Sequence, residues 1–469
     1  MNDFLSLLPL IIIGSGAILL MLLAAYEKIS IEITSFASMA IYGIAFFVQL
    51  GVCGPRSELF ESIFNGMLIS SNFTVIAGLV ILACGFFTSM SAHTYFKVNL
   101  FCTREFYALM MFAVCGMLLL TMAQELITAF IALEIMSLAI YVLVGYDRSS
   151  VTATEAILKY LMLGAFAGAF FTMGAALIYG GAASTKFVEI GAAVTANGGS
   201  SPLLLGGTFF VFVAFLFKVA AFPFHAWVID VYGGASSPVT GFMATALKAA
   251  VFAVFANFLA ISGEFHSGWI TFLFYVSVFT MFAGNLIAIG QSNIKRMLAA
   301  SGIVHSGYLL IALVAISTEH FTGTVVGYYL AAYAVGTLGI FAALSYLGGA
   351  GEKRATFDDF KGLAKVRPYS AGAITVFLLS MAGIPPTAGF MAKFYVITSA
   401  IATDHMALAV LGVVSSILSM WYYLRLIINM YFHEAEDNFD IAPGASLARV
   451  GTFVLVFFVF AVGLYPIVL

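Results

Sequence analysis

Apolar runs of roughly twenty residues, separated by short polar stretches, recur along the whole chain. A helix needs about 20 apolar residues to cross a hydrocarbon core about 30 Å thick, and no soluble core needs so many runs of that length. The pattern predicts about fourteen spanning helices, at 5–25, 34–52, 72–92, 106–122, 126–145, 156–180, 203–221, 238–260, 268–290, 297–316, 322–348, 370–402, 406–430 and 450–468. The first run, Leu5 to Ala25, is long for a signal-peptide core and has no positive start, so it reads as a retained span. The expected fold is an all-α polytopic membrane protein.

Two of the runs are broken. In FLFKVAAFPFHAWVIDVYGG, Pro223 has no N–H to donate and its ring clashes with the preceding turn. The carbonyl of Val219 is thereby freed, and inside a membrane it must find a protein or water partner. In LLSMAGIPPTAGFMAKFYV, Pro385 and Pro386 interrupt the helix and Lys393 follows seven residues after the second proline. Pro223 and Pro385 are 162 residues apart, and so are the starts of the fourth and ninth spans, 106 and 268. Spans four to eight (106–260) and nine to thirteen (261–432) therefore read as two five-helix units. Five is odd, so the second unit enters the membrane from the opposite side and the repeat is inverted. Three helices in 1–105 precede the units, and a loop and a fourteenth helix in 433–469 follow them.

Composition sharpens this picture through what it makes rare. Only 9% of the residues are charged against 62% hydrophobic, yet Lys218, Lys248 and Lys393 fall inside spans. A charge at the centre of a spanning helix costs about 2.5 to 3.5 kcal/mol on insertion scales, which points to function. Glu134 is the acid placed most deeply, and Ser137 and Tyr141 share its helix face. The plain alternative is that Glu134 only pairs with a cation to hold helices together. In the tenth span Ser301, His305 and Tyr308 form a polar stripe, and in the eleventh Tyr329, Tyr333 and Thr337 form another. His305 reads equally well as a proton relay or as a hydrogen-bonded structural group. Lys159 stands four residues after Glu155, as in a local helix pair, but is deep enough to be a second relay candidate. Gly164 and Gly168 form GxxxG, a close-packing pattern. His225, Trp227 and Asp230 after the first break would line its cytoplasmic mouth.

Charge distribution then sets the orientation. Of the 19 lysines and arginines, thirteen fall in loops after odd-numbered spans, only Arg56 and Lys186 on the other face, and four (Lys159, Lys218, Lys248 and Lys393) within the membrane. The positive-inside rule makes the rich face cytoplasmic and puts both termini outside, on the periplasmic side. The net charge of −3 and the lack of a long basic run exclude nucleic acid as a partner, and the small charge clusters read as solvated loops. Cys53, Cys84, Cys102 and Cys115 form no CxxC pair and read as packing residues. Nucleotide loops, haem ligand pairs and iron–sulfur spacings are lacking.

Four stretches together, ALEIMSLAIYVLVGY, FKVAAFPFHAWVIDVYGGASSPVTGFMATALK, GQSNIKRMLAASGIVHSGYLL and LSMAGIPPTAGFMAKFYV, resemble the antiporter-like membrane subunits of respiratory complex I, the N type above all. The likeness runs nearly end to end. It implies that Glu134 matches the family's fifth-helix glutamate, Lys218 the lysine before the seventh-helix break, Lys248 the eighth-helix lysine and Lys393 the twelfth-helix basic residue. The sibling M and L types carry an acid at that last position, and L adds a long lateral helix, which this sequence lacks. The resemblance implies a multi-pass subunit of the bacterial inner membrane that holds no cofactor itself. NADH, FMN, iron–sulfur clusters and quinone would be handled by partner subunits. Lipid, the neighbouring antiporter-like subunit and small membrane subunits would surround the chain. It would serve as a non-redox subunit of a proton-translocating NADH:quinone oxidoreductase, passing protons from Lys218 to Lys248 and, by way of His305, to Lys393. Glu134 would tune Lys218, since opposite charges about 4 Å apart attract by roughly 4 kcal/mol at an effective dielectric near 20. That is comparable to the roughly 3.5 kcal/mol needed to move one charge against about 150 mV. Two rivals remain at this stage: a subunit of a multi-protein sodium/proton antiporter, and a purely structural membrane spacer.

Overall fold

The computed structural model describes residues 2–26, 29–52, 61–101, 103–197, 201–261, 266–316, 323–435, 439 and 445–465. Cys53, Cys102, Lys28 and Arg56 lie outside the described residues. The chain runs α1 (Asn2–Ala24), α2 (Ile31–Val52), a hairpin of β1 (Glu61–Ile63) and β2 (Leu68–Ser70), α3 (Asn72–Tyr95), α4 (Glu105–Met122), α5 (Leu126–Val144), α6 (Val151–Ala182) and α7 (Phe187–Ala196). It continues through α8 (Pro202–Lys218), α9 (Ala226–Gly234), α10 (Ser237–Phe242), α11 (Lys248–Ile261), α12 (His266–Ile289), α13 (Ile294–Val314) and α14 (Gly323–Leu347). A short α15 (Leu363–Val366) precedes α16 (Pro368–Ala382), α17 (Ala388–Ala402), α18 (Met406–Phe432) and α19 (Ser446–Leu464).

Among the described residues, twelve helices are long and apolar enough to cross a membrane. Two further crossings are each built from two shorter helices, α8 with α9 and α16 with α17. These are the predicted breaks. Helices are what the bilayer demands, because each backbone N–H and C=O finds its partner within the same segment. The expected boundaries agree to within a few residues. The seventh crossing, however, runs beyond the predicted 221, since Ala226–Gly234 returns to helix as α9 after the break. Three smaller features were not foreseen: the hairpin, with Glu61 opposite Ser70, the short helix α7, and a π-helical stretch at Met243–Leu247 that joins α10 to α11.

The span 237–260, which carries the π-helical stretch, and α13 are buried along nearly their whole length, with Arg296 in the first turn of α13 exposed, and form the centre of the bundle. By contrast α2, α6, α12, α18 and α19 each turn an apolar face outward, with Phe47, Met162, Phe166, Leu286, Trp421 and Phe457 exposed. A fold of this kind inverts the soluble rule and keeps its polar side chains for the middle.

Candidate functional site

Lys218 is the last residue of α8 and is only 4% exposed. The helix stops there because the turn leading to Pro223 cannot continue it, and two carbonyls beside the break have side-chain donors. Val219 O accepts from Ser306 Oγ of α13 at 2.6 Å, and Phe217 O from the Trp227 indole at 3.1 Å. Phe222 N–H donates to Thr280 Oγ1 at 3.0 Å. The partner that the sequence demanded for Val219 is thus Ser306, a residue that sequence reading did not single out.

The Lys218 amine donates to Ser137 Oγ at 2.7 Å and to Tyr141 OH at 3.5 Å, and lies 5.6 and 5.8 Å from the ring centres of Tyr141 and Tyr160. The expected face of α5 is therefore the one that meets Lys218. The direct Glu134 pair is not: no Glu134–Lys218 ion pair within 4.0 Å occurs among the described residues, and Ser137 holds the amine instead. Glu134 is half-buried, with Oε1 lying 3.2 Å from where a Cβ on Gly168 would sit, while Tyr141 OH occupies the space in front of Gly164. The GxxxG of α6 makes room for these two polar groups.

Lys248 opens α11 directly after the π-helical stretch and is 2% exposed. Its amine donates to Gly302 O of α13 and lies 5.4 Å from the centre of the Tyr333 ring. Ser306 Oγ also reaches Gly302 O, at 3.1 Å. One helix face thus connects the first break to Lys248 through Val219 O, Ser306 and Gly302 O.

A turn along that face, His305 is hydrogen-bonded through Nδ1 to Tyr329 OH at 2.7 Å and through Nε2 to Tyr423 OH at 3.4 Å, one nitrogen donating and the other accepting, with the Tyr333 ring centre 4.7 Å away. Tyr423 also bonds Ser301, and Tyr308 OH donates to Gly412 O at 2.8 Å. Both predicted stripes therefore meet here. A small cavity, with room for about one water at most, runs from His305, Tyr329 and Tyr333 to Ser380, Gly389 and Ala392. Among the described residues the hydroxyls of Tyr333 and Thr337 are buried with no hydrogen-bond partner of good geometry.

Lys393, 5% exposed on α17, lies just past that cavity. Its amine donates to Ala382 O and to Ser416 Oγ, both at 3.0 Å, and lies 5.1 Å from the Tyr308 ring centre. Ala382 O is the last carbonyl of α16, released by the second break. Gly383 stands at φ +84°, and a Cβ there would fall 2.9 Å from Lys393 Cδ.

Lys159 differs from the other lysines. Two turns into α6, its side chain is 41% exposed and pairs with Glu155 and Asp230, each at 2.6 Å. Asp230 also faces Arg296 at 3.8 Å. The expected local pair with Glu155 is present, but the burial expected of a relay lysine is not, because Asp230 of α9 draws the amine to an exposed cluster. Of the three residues expected at the mouth of the first break, Asp230 is in that cluster. Trp227 is instead buried, stacked on Tyr160 with ring centres 4.7 Å apart, and His225 Nδ1 is buried with no partner among the described residues. Sequence reading missed Ser306, Gly302, Ser416 and Tyr423; the small and polar run SGIVHSGY in an otherwise apolar chain was the available signal for the first two. Among the described residues no group of three or more His, Cys, Asp or Glu side chains converges as metal ligands would.

Residues 123–419 match the family described as NADH:quinone oxidoreductase/Mrp antiporter, transmembrane. NADH-quinone oxidoreductase subunit N of Trichlorobacter lovleyi is 39% identical over 81% of this chain and 78% of its own length. Subunit N 1 of Herpetosiphon aurantiacus is 37% identical over 99% of this chain and 97% of its own. Among solved structures, a chain of respiratory complex I from Thermus thermophilus superposes with a TM-score of 0.82 at 30% identity, covering 98% of this chain and 97% of that one. A chain of the Mrp complex from a Dietzia species reaches a TM-score of 0.85 at 20% identity, covering 99% and 94%, which speaks to the fold alone.

Proposed function

Since this chain belongs to the NADH:quinone oxidoreductase/Mrp antiporter membrane family, we propose that it is the N-type proton-translocating subunit of a NADH:quinone oxidoreductase. Electron transfer from NADH to quinone, with its FMN and iron–sulfur clusters, belongs to partner subunits, and this chain contributes as a non-redox part of the translocase. It is a multi-pass protein of the bacterial inner membrane with both termini on the periplasmic side. Its working parts are two inverted five-helix units, 106–260 and 261–432.

One observation carries this reading: three lysines, each nearly inaccessible to solvent, are strung across the bundle with hydrogen-bonding groups between them. Such groups cost stability in a membrane and are found on ion and proton pathways. A proton released at Lys218 passes through water toward Lys248, which the α13 face positions, and then by way of His305 to Lys393. Glu134 acts on Lys218 across Ser137 and Tyr141, at longer range than a contact pair, and in the low dielectric of the bundle such a charge still counts. Glu134 also sits within an exposed apolar stripe on α5 of Ile127, Ile131, Leu138 and Val142. A carboxylate at that depth facing lipid is untenable, which supports a neighbouring membrane subunit covering this face. The higher identity to complex I relatives favours this reading over a sodium/proton antiporter subunit.

The test is NADH-driven acidification of inverted vesicles carrying the assembled complex. Lys218→Ala and Glu134→Gln should each lower the ratio of protons moved to electrons transferred several-fold while the complex still assembles. A wild-type ratio in either variant would falsify the proposed roles.

A further inference from the structure

A second, unanticipated charge site lies at the end of the bundle. The loop after α14 turns sharply through Gly349 (φ +75°) and Gly351 (φ +67°), with Gly351 N–H held by Asn99 Oδ1 at 2.8 Å. These turns drive Glu352 inward. Its Oε1 accepts the backbone N–H of Ser237 at 2.7 Å, and its Oε2 accepts Lys295 Nζ at 2.5 Å. Lys295 donates in addition to Ala235 O at 2.7 Å. The pair is 8% and 16% exposed. Both residues had read as ordinary solvated loop charges.

The two helices that this carboxylate joins are the ones that meet at Lys248. Ser237 begins the span that carries Lys248 eleven residues later, and Lys295 lies in the first turn of α13, seven residues before Gly302. A lysine in the first turn of a helix is opposed by the positive end of the helix dipole, so Lys295 gains nothing there from its own helix. A carboxylate on the N–H of Ser237 is favoured by the same field. Buried ion pairs contribute little net stability, because desolvation offsets attraction, and their best-attested use is to fix one geometry over others.

We propose that Glu352, bridging Ser237 and Lys295, is a positioning residue that sets the register of Lys248 against its acceptor Gly302 O and against His305. This rests on the proton-relay reading above. Lys295 and the Ser237 amide outweigh the burial that would otherwise raise the Glu352 carboxyl, and hold it below the ordinary carboxylate range, so the bridge is ionised at neutral pH.

The experiment compares Glu352→Gln, Glu352→Asp and Lys248→Ala in the assembled complex, reading the proton-to-electron ratio in inverted vesicles beside NADH oxidation and the amount of complex assembled. Glu352→Gln is expected to lower the ratio at least twofold in the complex that assembles, and Glu352→Asp to restore most of it. A wild-type ratio in Glu352→Gln, whether assembly is full or reduced, overturns the proposal, as the pair then only supports folding. Loss of all assembled complex in both Glu352 variants overturns it likewise. If Lys248→Ala itself keeps the wild-type ratio, the relay reading has failed rather than the positioning role.

Discussion

The two broken helices solve one problem in opposite ways. In the first, the lysine precedes the break, and its amine is held by side-chain hydroxyls of another helix, Ser137 and Tyr141. The carbonyl released beside it goes to a different donor, Ser306. In the second, the lysine follows the break and takes the released carbonyl of Ala382 itself, sharing it with Ser416 at 3.2 Å. The 162-residue offset that relates the prolines does not relate the lysines: 162 residues beyond Lys218 stands Ser380. Ser380 uses its hydroxyl to accept the Gly389 N–H at 3.1 Å. What repeats is the interruption, and each half has placed its cation independently against it. The cation of the first half can leave its site without exposing a carbonyl, whereas the cation of the second is part of how its break is satisfied.

The sharpest test of that difference is steric. Gly383→Ala adds a Cβ at a positive φ and 2.9 Å from Lys393 Cδ, so backbone and amine must both move. NADH-driven proton transport should fall about tenfold or more. Gly302→Ala, whose Cβ would lie 3.0 Å from the Lys248 amine without an unfavourable φ, should fall less. Equal losses would mean that the Lys393 site is no more rigidly tied to its backbone than Lys248.

Next in size are the hydroxyls that serve the released carbonyls. Ser306→Ala leaves Val219 O buried without its donor, a loss of about 1 to 3 kcal/mol. Ser416→Ala leaves Ala382 O bonded to Lys393 and takes one of two acceptors from that amine, which keeps Ala382 O, so it should cost less, about 0.5 to 1.5 kcal/mol. Thermal unfolding of the purified complex in detergent should rank them in that order; the reverse order would contradict the assignment of donors. Smallest of all is Lys159→Met. Exposed ion pairs add little to stability, so stability should change little and the proton-to-electron ratio not at all. A several-fold drop in that ratio would return Lys159 to the relay.

Much of this arrangement was legible because a membrane makes exceptions conspicuous. Pro223, Pro385 and three lysines in apolar runs announce themselves through cost alone, and the need of Val219 O for a partner followed from one ring without an N–H. The identity of that partner did not, because Ser306 is 87 residues away and serine is unremarkable in a helix. Depth was misjudged at Lys159 for a similar reason: α6 begins five residues earlier than its apolar run, and Asp230, 71 residues on, draws the amine outward. Glu352 was invisible for the opposite reason. Its GEKR surroundings have the composition of a wet loop, and only the turns at Gly349 and Gly351 drive it inside.

The position of α13 has a mechanical corollary. One rod supplies the hydroxyl that props the first interruption, the oxygen that receives Lys248, the imidazole at the crossing, and the aromatic plate over which Lys393 rests. Any axial slip of that rod loosens all four seats at once, so the halves of this molecule cannot be retuned separately.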